Sequence, residues 1–515
     1  MPTHIAVCDN RHRSEGKGDF VLFSCSLCAC AVLIGVMTGM APAFAIKISL
    51  PILLALFVLV ASKLPKLKAA PYRHLLSLLT ALTAVSILWP AYAIFSFGGL
   101  PSIDPKKILL MLLLLVWTFG AAAFPALWGR LARRMRLAGG PLLVLLLFMC
   151  WRFFSVATAN KAGNAVVQFG WECVSFYLVF FAALSCIDGM GDLRKLVNVI
   201  LISSALVSLL GMAERVTGHN PIARFIPINP EFAASQLAAL DVKLREGAAR
   251  IQATFEHPMV LAEFMIFVLP LGIFSIIRAA RGFHRMLAAG SVALIVVAIL
   301  YSATRSAIIT SSALAFLGMM LLLARGMRGG RMGLKSYFSI LGLLIALALA
   351  AASLGVAEKL VHGRSADERS SSLERLEQIE RGIPKLQQQP LLGVGVGAGN
   401  DEIGFQAGLG RVYVDNYYLT LALDSGLPAA ILFLLMMGGF AWLGIRLYFI
   451  GSGEKALLAG MLGLSLMGVA AVKFVLSIYS NLFFVYLAFA MLIVLKEQIR
   501  MQEKGEEKTM DAAHG

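Results

Sequence analysis

The first residues whose types could do chemistry surround Arg250. The run Arg250-Ile-Gln-Ala-Thr-Phe-Glu-His257-Pro258 leads directly into the apolar stretch Met259-Val-Leu-Ala-Glu263. A guanidinium at the mouth of a membrane span stays charged when partly desolvated and can grip two phosphate oxygens at once. An interfacial arginine that snorkels its stem along lipid is the competing reading. Arg305 sits in the short turn Ser302-Ala-Thr-Arg305-Ser306 between two apolar runs. An ionisable group with so little loop around it usually faces a cavity or a partner. Arg152 and Lys473 stand near the ends of two further apolar runs. With His257 as a further candidate contact, these four cations could line a pocket for an anionic headgroup. Alternatively, each pairs with a local carboxylate such as Glu172 or Glu263.

A second patch, Val414-Asp415-Asn416-Tyr417-Tyr418, continues to Leu421-Ala-Leu-Asp424-Ser-Gly426-Leu-Pro428. Asp415 could take the proton from a sugar hydroxyl as that oxygen attacks an activated anomeric carbon. It could instead cap the helix that Gly426 closes. The roles conflict, because a helix N-terminus lowers a carboxylate pKa whereas a useful base needs it raised by desolvation. Asn416 and Tyr417 are candidate substrate contacts. Tyr413, Tyr417 and Tyr418 offer ring faces to sugars, or pack at a membrane interface. Upstream, Gly393, Gly395, Gly397 and Gly399 alternate. Their spacing is not that of a dinucleotide fingerprint, which leaves a backbone able to approach a sugar or phosphate closely, or a tight turn. Ser371 to Glu374 has capping-box spacing, and Leu373, Leu376, Ile379 and Ile383 recur every three or four residues. This predicts an amphipathic helix that ends near Gly382 and Pro384.

Composition identifies the scaffold that must position these residues. Of 515 residues, 59% are hydrophobic and 14% charged, against roughly 45–50% and about 25% in soluble domains; a soluble globular enzyme is excluded. Apolar runs long enough to cross a hydrocarbon core of about 30 Å recur along the chain. They predict spans near 21–40, 42–62, 75–97, 108–128, 141–158, 165–186, 196–213, 259–277, 286–304, 306–324, 337–357, 427–448, 456–474 and 478–496. The fold class is an all-α polytopic membrane protein with about 12–14 transmembrane helices and a large outward loop containing amphipathic helices. With the N-terminus cytoplasmic, the short inner segments carry 26 Lys and Arg, and the short outer ones only Lys106, Lys107, Lys161 and Arg305. That is the asymmetry the positive-inside rule demands. The net charge of +16 is therefore mostly topology and not a nucleic-acid-binding face.

The organisation expected is a cytoplasmic tail over 1–20, N-terminal spans over 21–213, an outer loop over 214–258, central spans over 259–357, a large outer loop over 358–426, C-terminal spans over 427–496 and a cytoplasmic tail over 497–515. Loops as long as these two are usually functional when patterned, so the working surface is expected to face outward. Ala41-Pro-Ala-Phe-Ala45 resembles a signal-peptidase site, but the mixed-charge leader and the span that follows at once fit an uncleaved first helix better. Cys25-Ser-Leu-Cys28 reads as packing within a span, and neither outer loop contains a cysteine for a disulfide framework. No metal site is expected.

Three patches, Arg250 to Ala262, Pro390 to Gly399, and Asp415 to Gly426 with the apolar helix that follows, resemble the O-antigen ligase and O-antigen polymerase (Wzy-like) superfamily of bacterial surface-polysaccharide assembly. The resemblance covers roughly residues 200 to 490. It implies a metal-independent, inverting glycosyltransferase of the bacterial inner membrane, with no cofactor. The implied donor is an undecaprenyl-pyrophosphate-linked glycan on the periplasmic face, and the implied partners are a glycan acceptor, the bilayer and other polysaccharide-assembly membrane proteins. Arg250 and Arg305 would hold the pyrophosphate. In the ligases, a His followed by Asn, Ser or Gln, with Gly eleven positions after the His, marks the catalytic base. Asp415, Asn416 and Gly426 keep that spacing with Asp in place of His. The departure favours an O-antigen or exopolysaccharide polymerase over a ligase to lipid A core. A flippase for the same lipid-linked glycans would also need outward cations, but inverted repeats and broken midplane helices are not evident in the sequence.

Overall fold

The computed structural model describes residues 71–95, 104–226, 228, 233–241, 243–245, 248–280, 282–327, 366–403, 406–407, 411–412 and 414–514. The expected spans 21–40, 42–62 and 337–357 lie outside them, as do Ala41 to Ala45, Cys25, Cys28 and Tyr413. Among the described residues, ten helices are long and apolar enough to cross a membrane. With one shorter apolar helix, Tyr72–Leu88, they correspond to the eleven remaining expected spans. The protein is an all-α polytopic membrane protein.

The chain divides into two units, Met1–Pro71 with Val116–Gly129, and Tyr72–Leu115 with Arg130–Gly515. Of the first, Pro71 and 116–129 are described, all but Pro71 and Phe124 in helix. In chain order the helices are α1 Tyr72–Leu88, α2 Pro105–Ala123, α3 Pro125–Ala138, α4 Gly140–Ala157, α5 Ala162–Glu172, α6 Leu178–Cys186, α7 Met190–Thr217, α8 Ala233–Leu240, α9 Pro258–Arg278, α10 Gly282–Tyr301, α11 Arg305–Met327, α12 Ala366–Gln388, α13 Gly399–Ile403, α14 Tyr417–Ile450, α15 Gly453–Val472 and α16 Leu482–His514. A five-residue π turn, Cys173–Tyr177, joins α5 to α6. Two antiparallel ribbons of two residues per strand interrupt the helices: Leu244 pairs with Ala249, and Gln406 with Val412.

Several boundaries depart from the sequence expectation for identifiable reasons. Helix α1 stops at Leu88 because Pro90 lacks a donor and restricts the residue before it. Pro125 ends α2 and opens α3, which turns the expected inner loop with its four arginines into an amphipathic helix. Helix α12 starts five residues before Ser371, so the Ser371-to-Glu374 spacing is not its cap, and it runs through both Gly382 and Pro384. Gly382 lets it lie close to Ile403 and Leu419, a tertiary contact that outweighs the local breaker. Helix α14 begins at Tyr417, ten residues before the expected span. Helix α16 runs on to His514 through a tail rich in Glu, Lys, Gln and Met, residues of good helix propensity.

Within the second unit, α9 and α15 are buried along most of their length, and α16 along its apolar first half. Helices α14 and α15 approach through small residues: a side chain at Gly444 would meet the Ala459 carbonyl, and one at Gly463 the Ala441 carbonyl. Such contacts let membrane helices pack by dispersion where no hydrophobic drive exists. Ser465 in α15 donates to the Phe267 carbonyl of α9 at 2.7 Å. The starts of α9, α11, α14 and α16 meet at one end of this unit through the hydrogen bonds described next.

Candidate functional site

The segment 250–257 is held from three sides. Glu214, at the end of α7, accepts from the backbone N–H groups of Gln252 and Ala253 at 3.0 and 2.7 Å. Ala253 has a positive φ of 51°, and its carbonyl accepts from the Tyr92 hydroxyl and the Asn220 amide at 2.7 and 2.8 Å. Thr254 donates to Ile87 at 2.7 Å. A left-handed non-glycine residue persists only where its surroundings over-determine it, and these bonds do so.

The result fixes Arg250. Its Nε donates to the Ser302 carbonyl at 2.8 Å and its Nη2 to the Thr304 hydroxyl at 3.0 Å. Ile251 N–H reaches the Tyr301 carbonyl at 3.2 Å. Arg305 follows Thr304 directly as the first residue of α11. The structure thus brings the Arg250 side chain to the turn that carries Arg305, although 54 residues separate Arg250 from Thr304. His257 is the N-cap of α9, its Nδ1 accepting from Met259 N–H at 3.2 Å. Burial, with the charges of Arg250 and Lys243, pushes its pKa down to about 3. It is therefore a neutral imidazole at pH 7, with its proton on Nε2.

Arg152 and Lys473 have the local carboxylate partners that the sequence offered as the alternative. Lys473 Nζ lies 2.9 Å from Glu263 Oε1, both side chains fully buried, and Asn481 donates to the other Glu263 oxygen at 2.9 Å. Arg152 ion-pairs with Glu172 and, at 3.5 Å, with Asp424, and it donates to the Ser425 hydroxyl at 2.8 Å. This cluster sits where α14 breaks. Ser425 and Gly426 leave helical geometry, Gly426 with φ 80°, and a Cβ on Gly426 would overlap the Leu391 carbonyl. The freed backbone is re-satisfied by Trp151 Nε1 to the Ser425 carbonyl at 2.9 Å and by Ser155 to the Asp424 carbonyl at 2.9 Å. The glycine-rich run wraps this break: Val394 and Gly395 N–H bond to the Leu423 and Asp424 carbonyls, each at 2.9 Å, and Gly399 N–H bonds to Asp424 Oδ1 at 2.8 Å. The close approach that these glycines permit is to the chain's own helix.

The break leaves residues 417–424 as a short helical segment ahead of the main span, and Asp415 stands just before it. Asn416 is the N-cap, its Oδ1 accepting from Tyr418 and Leu419 N–H at 3.0 and 3.1 Å. Asp415 is thereby released from capping. Its N–H donates to Gln378 Oε1 at 2.8 Å, and its Oδ2 lies 3.4 Å from Arg375 Nε, both partners on α12. Burial raises the Asp415 pKa above the ordinary carboxylate value; Arg375 opposes the rise and Glu374 adds to it. Tyr417 is buried against Phe433, ring centroids 5.0 Å apart. Its N–H donates to the Lys473 carbonyl at 2.9 Å. Lys473 therefore links the start of α14, through Glu263, to the start of α9 that His257 caps, which places Asp415 and Arg250 at the same end of the unit.

Sequence reasoning missed Glu214, Arg375 and Gln378. The last two sit three apart on one face of α12, a spacing visible in the sequence, whereas nothing near Glu214 points to the loop it holds.

Fold and site define a multi-pass membrane protein with arginines and a desolvated carboxylate at one end of its helices. Residues 290–434 match the family described as O-antigen ligase; the match spans Arg305, α12, the glycine-rich clamp, Asp415 and the broken start of α14. The similarity over these residues supports membrane glycan transfer of the O-antigen ligase or polymerase type. No curated protein matches the chain.

Proposed function

We propose that this protein is a glycosyltransferase of the bacterial inner membrane, both termini cytoplasmic, that polymerises undecaprenyl-pyrophosphate-linked oligosaccharides on the periplasmic face. In this reading it inverts the anomeric centre and needs no metal. Asp415 removes the proton of the acceptor hydroxyl as its oxygen bonds to the donor's anomeric carbon. Undecaprenyl pyrophosphate leaves with the bonding electron pair, its charge met by Arg250 and Arg305. His257, neutral, donates from Nε2 to the glycan or phosphate. The observation that carries the proposal is the division of labour at 415–416: Asn416 does the capping, so the neighbouring carboxylate keeps the raised pKa that suits a general base. Paired as they are, Arg152 and Lys473 support the site and do not bind the donor.

The second reading is a ligase that moves the glycan to lipid A core, favoured by the description of the matched family. A deletion strain carrying plasmids for the wild type, Asp415→Asn, Arg250→Ala or Arg305→Ala at matched protein levels separates the readings by surface-glycan length on a gel. Single repeat units in the deletion and all three variants support the polymerase; long lipid-linked chains left unattached support the ligase. Unaltered glycan in the variants refutes both.

A further inference from the structure

A cavity of about 160 Å³ opens between Trp89, Asp104, Lys107, Trp171, Glu256 and Ser480, over a floor that includes Phe255 and Phe484. Its volume is that of about five waters at about 30 Å³ each, which suits one pyranose ring. Two indoles and a carboxylate in one small chamber fit a sugar well: the C–H face of a pyranose packs on an aromatic ring while its hydroxyls donate to carboxylate oxygens. The charged lining is balanced, Asp104 and Glu256 against Lys106 and Lys107, with Lys107 3.6 Å from Asp104 and 5.7 Å from the Trp171 ring centroid. That balance favours an uncharged ring over a diphosphate.

A further observation ties the cavity to the candidate site. Thr254, Phe255 and Glu256 line the wall and belong to the segment that Arg250 begins. Six residues of chain span at most about 22 Å, so a sugar here lies within a few rings of Arg250.

We infer that this cavity is a monosaccharide subsite, holding one uncharged sugar ring of the glycan substrate. The identity of that substrate rests on the glycan-transfer reading above; the subsite itself rests on the cavity. The test is saturation-transfer NMR on the full-length protein in nanodiscs. The probes are the methyl pyranosides of each sugar recovered by hydrolysis from the surface polysaccharide of the producing strain. At least one should bind the wild type. Trp171→Ala and Glu256→Gln should weaken it about tenfold, and Trp171→Phe, which keeps a ring face, should retain most of the binding if the alanine variant folds poorly. The inference is overturned if no probe binds the wild type, or if binding survives Trp171→Ala and Glu256→Gln intact. Failure of the glycan-transfer reading shows separately, as unaltered surface glycan in Asp415→Asn and Arg250→Ala cells.

Discussion

Replacing Arg152 by methionine, which keeps the length of the side chain but not its charge, tests what that residue is for. Arg152 is 2% exposed and answers two carboxylates, Glu172 and Asp424, that are themselves nearly buried, besides the Ser425 hydroxyl. Removing one partner of a buried ion pair costs about 3–5 kcal/mol, because the other charge is left uncompensated. With two carboxylates stranded, Arg152→Met should fall at the upper end, about 5 kcal/mol. Combining it with Glu172→Gln and Asp424→Asn removes the stranded charges, and the triple variant should recover most of the loss. Arg194→Met, which breaks the partly exposed pair with Glu454 and leaves that carboxylate its second partner Arg278, should cost less than about 1 kcal/mol. Denaturant unfolding of the detergent-solubilised protein, followed by tryptophan fluorescence, gives all three values. A stability within about 1 kcal/mol of wild type for Arg152→Met, or a triple variant no better than the single, would refute the reasoning and return Arg152 to the candidates for substrate binding.

Other perturbations separate structural from chemical roles. Gly426→Ala should fail to fold stably, because its Cβ would overlap the Leu391 carbonyl and the residue needs φ 80°; membrane levels and Tm report this. Glu214→Ala strands the buried N–H groups of Gln252 and Ala253, costing roughly 2 kcal/mol or more; by loosening the segment that places Arg250, it should also raise the donor KM. In the pH–rate profile, Arg375→Gln removes the charge that holds the Asp415 pKa down, so the acidic limb should move to higher pH. Glu374→Gln should move it to lower pH. Shifts in the same direction, or none, would mean that Asp415 is not the titrating base.

The membrane spans were legible because a continuous apolar run of sufficient length has few other uses. A local carboxylate such as Glu172 or Glu263 was legible as the alternative partner of the cations; Arg152 and Glu172 lie in successive predicted spans, whereas the pairing of Lys473 with Glu263 joins spans far apart in the chain. What was not legible depends on contacts distant in sequence. The choice between Asp415 and Asn416 as cap turns on which side chain α12 occupies, and α12 engages Asp415 through Arg375 and Gln378. The glycine run reads in the sequence as a backbone that approaches a sugar or phosphate, or as a tight turn; its partner is the broken turn of α14, whose Gly426 reads locally as a helix end although the helix resumes at once through Pro428.

Turnover by Asp415→Asn tests the central claim most directly. Purified wild type and variant in proteoliposomes, supplied with the strain's undecaprenyl-pyrophosphate-linked glycan, are assayed for release of undecaprenyl pyrophosphate. Loss of a positioned general base should lower kcat by about 10²–10⁴-fold, with the donor KM and Tm close to wild type. A variant that turns over at the wild-type rate would contradict the assignment of Asp415 as the base.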